Sequence, residues 1–200
     1  MRTLALLSLL TAFATGAGAA ALDDLIRECT DCHGDDGVSR WEDVPTIAGV
    51  AAFNNADSLY RYRDEARPCR ESEYRQGDTE RAAESMCEVA ADLTDDQIEA
   101  LAEHYAGLPF VPAKQPFDAD KAAAGAAVHN DACERCHIEG GKDPSEEAGI
   151  LAGQWLPYLR EAFEDYAADK REQPKKMREK MAELSAEDVE ALLHYYASQQ

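Results

Sequence analysis

Ile98, Leu101, Ala102 and Tyr105 recur at helical spacing behind the polar start Thr94-Asp95-Asp96. Apolar residues three and four apart make one stripe of an amphipathic helix, and a Thr or Ser ahead of it satisfies free backbone N–H groups. The device returns near the end of the chain, where Ser185 with Asp188 precedes Val189, Leu192, Leu193 and Tyr196. Segments 22–32, 122–136 and 155–170 also read as helices. No stretch alternates as a half-buried strand does. The pattern predicts an all-α fold.

The two capped helices belong to a longer repeat. Cys29-Thr30-Asp31-Cys32-His33 is answered 104 positions on by Cys133-Glu134-Arg135-Cys136-His137, and Ile47-Ala48-Gly49 by Leu151-Ala152-Gly153 at the same offset. Between the last helices, which begin at Leu93 and Leu184, the offset is only 91, so the first copy holds 13 extra residues. The segment from Gly107 to Asp118 carries three prolines, which a single helix does not accommodate, and reads as a stiff, extended linker. The expected organisation is 1–20 signal peptide, 21–108 first domain, 109–118 linker and 119–200 second domain. Domains of that size bury little core of their own, so a large rigid group at the centre of each would help it fold.

The first twenty residues explain the first boundary. Arg2 precedes an apolar run and the small-residue stretch Ala17 to Ala21, the pattern of a cleaved export signal. The run is short for a membrane span, and no second run of spanning length follows. The expectation is a periplasmic protein with no membrane insertion after cleavage. Forty acidic against 20 basic residues give a formal charge of −20. That excludes a nucleic-acid binder, which needs a basic face.

The paired C-x-x-C-H motifs carry the chemistry. One helical turn places two thiols along one edge of a porphyrin, where they add to its vinyl groups, and the following His projects to the iron. A zinc site would want its C-x-x-C pairs about 15–20 residues apart. A redox dithiol would want a βαβ context, and a structural disulfide does not call for the His. Cys29, Cys32, Cys133 and Cys136 are therefore expected to hold two covalent haem c groups, with His33 and His137 as axial ligands.

The second axial ligands follow by elimination. Past the signal there are three methionines, Met86, Met177 and Met181. Met86 and Met177 each stand seven residues before the repeated last helix, whereas Met181 is answered by Ala90. Met86 and Met177 are the expected axial ligands, and Met181 is expected to pack on the second porphyrin. His104, His129 and His194 do not recur in the repeat and read as exposed or capping residues, with bis-histidine ligation as the alternative. His/Met ligation raises the haem potential and closes the open position that oxygen or peroxide chemistry needs.

Cys69 and Cys87 stand outside the motifs and, in an exported chain, are expected to pair as a disulfide that staples the insertion to the Met86 loop.

In order, each half runs C-x-x-C-H, then Ala-Gly, then Met, then the closing helix, which resembles dihaem cytochromes of the c-four type. The segments PAKQPFD, CERCHIEGGK, ILAGQWLPYL, KKM and YYASQQ of the second half resemble the cytochrome subunit of flavocytochrome c sulfide dehydrogenase more closely. The resemblance implies two tandem class I cytochrome c domains whose haems approach one another at a pseudo-twofold interface. It also implies an FAD-containing flavoprotein partner that oxidises sulfide, with electrons passing on to a small soluble acceptor. The first half departs from that pattern in its insertion and in the stretch SLYRYRDEAR. No G-x-G-x-x-G fingerprint is present, so FAD would sit on the partner alone, and the chain is expected to have no catalytic site of its own. The alternatives are a free-standing dihaem shuttle to a terminal oxidase and a haem enzyme acting on sulfur compounds.

Overall fold

The computed structural model describes residues 16–143 and 148–200, with side chains from residue 22. Most of the expected signal segment lies outside the described residues. Nine helices are found among the described residues: α1 Gly16–His33, α2 Ala52–Arg63, α3 Met86–Ala91, α4 Asp95–Ala106, α5 Ala119–Ala132, α6 Ile138–Gly141, α7 Leu156–Ala167, α8 Lys175–Glu183 and α9 Ala186–Ala197. None of the described helices is long and apolar enough to cross a membrane.

Each closing helix starts as its sequence dictates. Thr94 caps α4 in a capping box with Gln97, and Ser185 caps α9 in a box with Asp188. The faces they bury are the stripes read from the sequence: Ile98, Leu101, Ala102 and Tyr105 in α4, and Leu192, Leu193 and Tyr196 in α9. These nucleate two separate cores. In the first, α4 gathers Leu22, Leu25, Ile26, Leu59 and Tyr60; in the second, α9 gathers Leu159, Val128, Leu156 and Phe163.

The repeat extends to backbone hydrogen bonds. Ile47 and Ala48 donate to the Gly37 carbonyl at 2.9 and 3.2 Å, and Leu151 and Ala152 donate to that of Gly141 at 3.0 and 3.1 Å. Gly49 donates to Tyr105 and Gly153 to Tyr196, at 2.8 and 2.9 Å. Gly49 sits at φ +70°, and a Cβ there would lie 2.3 Å from the Phe110 nitrogen, so only glycine lets the linker pass this close.

Two expectations need correction. The sequence offered no strand, yet β1 Glu71–Ser72 and β2 Glu84–Ser85 form an antiparallel pair. Each strand is two residues long, too short for alternation to register. His129, read as exposed or capping, is fully buried in α5. It occupies the inner face with Ala122 and Gly125, packed against α9.

The halves meet through specific polar contacts. Thr46 N–H donates to Gln154 Oε1 at 3.1 Å while Gln154 Nε2 donates to the Thr46 carbonyl at 2.7 Å. Trp155 Nε1 donates to the Ser39 carbonyl, and Arg70 grips Asp165 with both nitrogens, at 2.8 and 2.5 Å.

Candidate functional site

One continuous cavity of about 1340 Å³ runs between the two cores and is lined by residues of both halves. Small-molecule pockets usually measure roughly 300–1,000 Å³. Cys29, Cys32 and His33 line it from the first half, and Cys133, Cys136 and His137 from the second. Met86, Met177 and Met181 line it as well. His104, His129 and His194 are not among the lining residues.

The four motif thiols are unpaired, whereas Cys69 and Cys87 are bonded to each other with Sγ atoms 1.98 Å apart. Burial pushes the Cys29 thiol up to about 11 and raises those of Cys32 and Cys133. Neutral thiols facing an apolar cavity suit thioether formation better than thiolate coordination of a bare cation. Among the described residues, no group of three or more His, Cys, Asp and Glu could hold a metal ion.

Both motif histidines are held neutral by burial. His33 Nδ1 lies 2.9 Å from the Pro45 carbonyl, which fixes the ring and leaves Nε2 free to face the cavity. That is how a protein commonly sets the tautomer of an imidazole that ligates iron. Gly149, twelve residues after His137 as Pro45 is after His33, takes the same place in the second half. The Gly149 carbonyl acts on His137, but Nδ1 finds no well-aligned partner among the described residues. A cavity with two unpaired thiol pairs and two buried, neutral imidazoles, one of them fixed by the Pro45 carbonyl, fits two haem c groups.

Local structure differs more around the methionines. Met86 opens α3 directly after the N-cap Ser85, whose box with Glu88 fixes that turn. The next residue, Cys87, is tied to Cys69. Met177 lies in α8, a helix that buries none of its residues.

The sequence reading missed a cluster at the seam between the halves. Helices α2 and α7 end alike, with Ala66 N–H donating to the Arg61 carbonyl and Lys170 N–H to that of Asp165, at 2.7 and 2.9 Å. Glu65 and Asp169, at φ 52° and 55°, make the left-handed step of this helix-ending turn. Two residues on, Arg67 and Arg171 fold back over Tyr62 and Tyr166, with guanidinium carbons 4.3 and 4.6 Å from the ring centroids. Both pairs obey the 104-residue offset, which was the signal that could have found them. The same correspondence confines the 13 extra residues to the stretch between Arg67 and Met86, where β1 and β2 lie.

With this geometry in view, similarity to known proteins is informative. Residues 120–195 match the family described as cytochrome C oxidase, cbb3-type, subunit III. No curated relative matches the sequence. The structure resembles Acidithiobacillus ferrooxidans cytochrome c4 with TM-score 0.69 at 22% identity, covering 86% of this chain and 99% of that one. It resembles cytochrome c4 from Pseudomonas stutzeri with TM-score 0.72 at 23% identity, covering 91% and 98%. It also resembles the thiosulfate dehydrogenase TsdBA of Marichromatium purpuratum with TM-score 0.66 at 26% identity, covering 86% of this chain but 36% of that one. The fold is that of two tandem class I cytochrome c domains.

Proposed function

We propose that the chain is an exported dihaem cytochrome that accepts electrons from a sulfide-oxidising flavoprotein and passes them to a soluble or respiratory acceptor. The observation that carries the electron-transfer reading is the shared cavity, which brings both C-x-x-C-H motifs and both register-matched methionines to its walls. Cys29, Cys32, His33 and Met86 would hold one haem, and Cys133, Cys136, His137 and Met177 the other. Each bound haem supplies one reversible electron at its iron.

The chain's own residues would position such an iron. His33 is oriented by Pro45 and kept neutral by burial. Met86 is anchored by the Ser85–Glu88 cap and the disulfide. The two cores line the cavity with the buried Leu101, Ala102 and Tyr105 on one side and Leu159 and Tyr196 on the other. Were a His and a Met both to ligate each iron, electron transfer would be favoured over chemistry at an open position.

The flavoprotein partner rests on the second-half segments that resemble flavocytochrome c sulfide dehydrogenase. The likeness to the cytochrome c4 chains over almost their whole length favours a second reading, a free-standing dihaem shuttle. Purification from the native host decides between them. A copurifying flavin, and haem reduction by sulfide only in its presence, are expected. Two haems with no flavoprotein partner would leave the shuttle, and sulfide turnover by the isolated chain would make it an enzyme. Absence of haem would end both electron-transfer readings.

A further inference from the structure

The Arg67 and Arg171 pair is unusual in a chain with twice as many acidic as basic residues. Buried guanidinium groups are normally matched to carboxylates. Arg67 is only 7% exposed, yet neither it nor Arg171 has a carboxylate within 4.0 Å among the described residues. The neighbouring arginines behave otherwise: Arg61 pairs with Asp57 and Glu172, and Arg70 with Asp165 and Glu161. The unmatched pair faces the cavity together with Tyr62, Tyr158 and Tyr166.

The second observation is Tyr158, which reaches the pair from α7. Burial pushes its phenol upward, but Arg171 and Arg67 outweigh that and hold it below the ordinary tyrosine value. One phenol therefore senses both guanidiniums, one from each half. The positive charge at this seam is fixed, enclosed and turned toward the cavity. Backbone places it firmly: the same helix-ending turn precedes each arginine, and the Arg67 carbonyl packs 3.6 and 3.9 Å from the two disulfide sulfurs.

We propose that Arg67, Arg171 and Tyr158 form a receptor for two carboxylates, taking a propionate from each bound porphyrin and so tying the redox levels of the two halves together. This rests on the dihaem reading above. A fixed cation beside a haem carboxylate keeps that carboxylate ionised and offsets its charge at the iron. Loss of the cation leaves an uncompensated negative charge, which favours the ferric form. Because Tyr158 sits between both arginines, a change at either one reaches both haems.

The test uses the full haem-loaded chain. Haem is counted first by its pyridine haemochrome, and both midpoint potentials are then followed spectroelectrochemically from mildly acidic to mildly alkaline pH. Arg67→Leu and Arg171→Leu are each expected to shift both haems about tenfold toward the ferric form, about 59 mV for a one-electron couple. They are also expected to introduce a pH-dependent slope absent from the parent. Arg67→Lys keeps the charge and should restore most of the potential; it also serves if the leucine variants do not accumulate, because its flat pH profile then distinguishes charge from shape. Added inorganic sulfate at constant ionic strength should leave the parent unmoved. A sulfate-dependent shift abolished by Arg67→Leu would assign the site to a free anion and overturn the propionate assignment. Two haems with unmoved potentials and pH profiles in the leucine variants would overturn the receptor alone. A parent without haem would overturn the dihaem reading and the receptor with it.

Discussion

The two halves share a backbone plan but are fastened differently. The first is held from outside, by a covalent staple and the β1–β2 insertion, whose Arg75 and Gln76 N–H groups donate to the Asp31 carbonyl within the motif itself. The second has no such cover among the described residues. It is held from within, by the buried His129, whose Nδ1 lies 2.9 Å from Tyr196 Oη and whose Nε2 lies 2.6 Å from Glu134. Leu25 takes the place of His129 in the first half, and Thr30 that of Glu134. A duplicated fold has thus met one demand, a rigid turn around the C-x-x-C-H motif, by two means.

The sharpest way to break the comparison is at the helix crossing of the second half. A Cβ on Gly125 would lie 2.0 Å from the Ala191 carbonyl oxygen and 2.8 Å from Tyr195 Cβ, so α5 and α9 would have to part. Gly125→Ala is expected to cost more than about 3 kcal/mol in urea unfolding, at the upper end for overpacking. Gly107→Ala is the control, since its Cβ would meet only carbonyl oxygens at 3.5 Å, and it should be near neutral.

Next in size is the staple. The Cys69–Cys87 loop spans 18 residues, and its removal in the double Ser variant should cost about 3 kcal/mol by loop entropy. The loss belongs to the first half. Two resolved unfolding transitions, with only the first-half transition moved, are expected; an equal shift in both would show that the halves do not differ in this respect.

A smaller contrast lies between the equivalent tyrosines. Tyr196→Phe leaves His129 Nδ1 buried without a partner and should cost about 1–3 kcal/mol. Tyr105→Phe removes a 3.3 Å bond to the Ile26 carbonyl, which still accepts from Thr30 Oγ1 at 2.8 Å, and contacts with the Cys29 and Thr30 side chains, but it strands no buried ring nitrogen and should cost less than about 1 kcal/mol. Equal losses in thermal unfolding would remove the distinction between the two inner fastenings.

These contrasts also explain what the sequence made legible. The closing helices could be read because cap and stripe agree at two levels, in Thr94 with Ile98 and in Ser185 with Leu192. The C-x-x-C-H pairs could be read because their spacing is local. His129 was misread because the inner face of α5 is built from small residues, Ala122 and Gly125, which give a weak apolar signal beside a polar ring. Its spacing from them, three and then four residues, was the clue. The Arg67 and Arg171 pair was hidden because polar residues in a loop have no period of their own; only the repeat offset marks them. The tertiary matches, such as Thr46 with Gln154, leave no local trace at all.

The smallest expected effect tests the inner fastening by pH. Glu134 accepts from His129 Nε2 and from the N–H groups of Glu139 and Gly140, both at 3.1 Å, and the histidine bond first, then the backbone bonds, hold its pKa below the ordinary carboxylate value. A carboxylate with a depressed folded-state pKa contributes stability that is fully present above its unfolded value and is lost as pH falls through the folded one. Glu134→Gln should therefore weaken the second half near neutral pH and progressively less below the ordinary carboxylate range, so that parent and variant converge in acid. Unfolding midpoints across that range, followed by near-UV circular dichroism, give the measurement. Curves that stay parallel into acid would mean that Glu134 acts through shape and not through its charge, and the second half would then lack the charged inner fastening that sets it apart from the first.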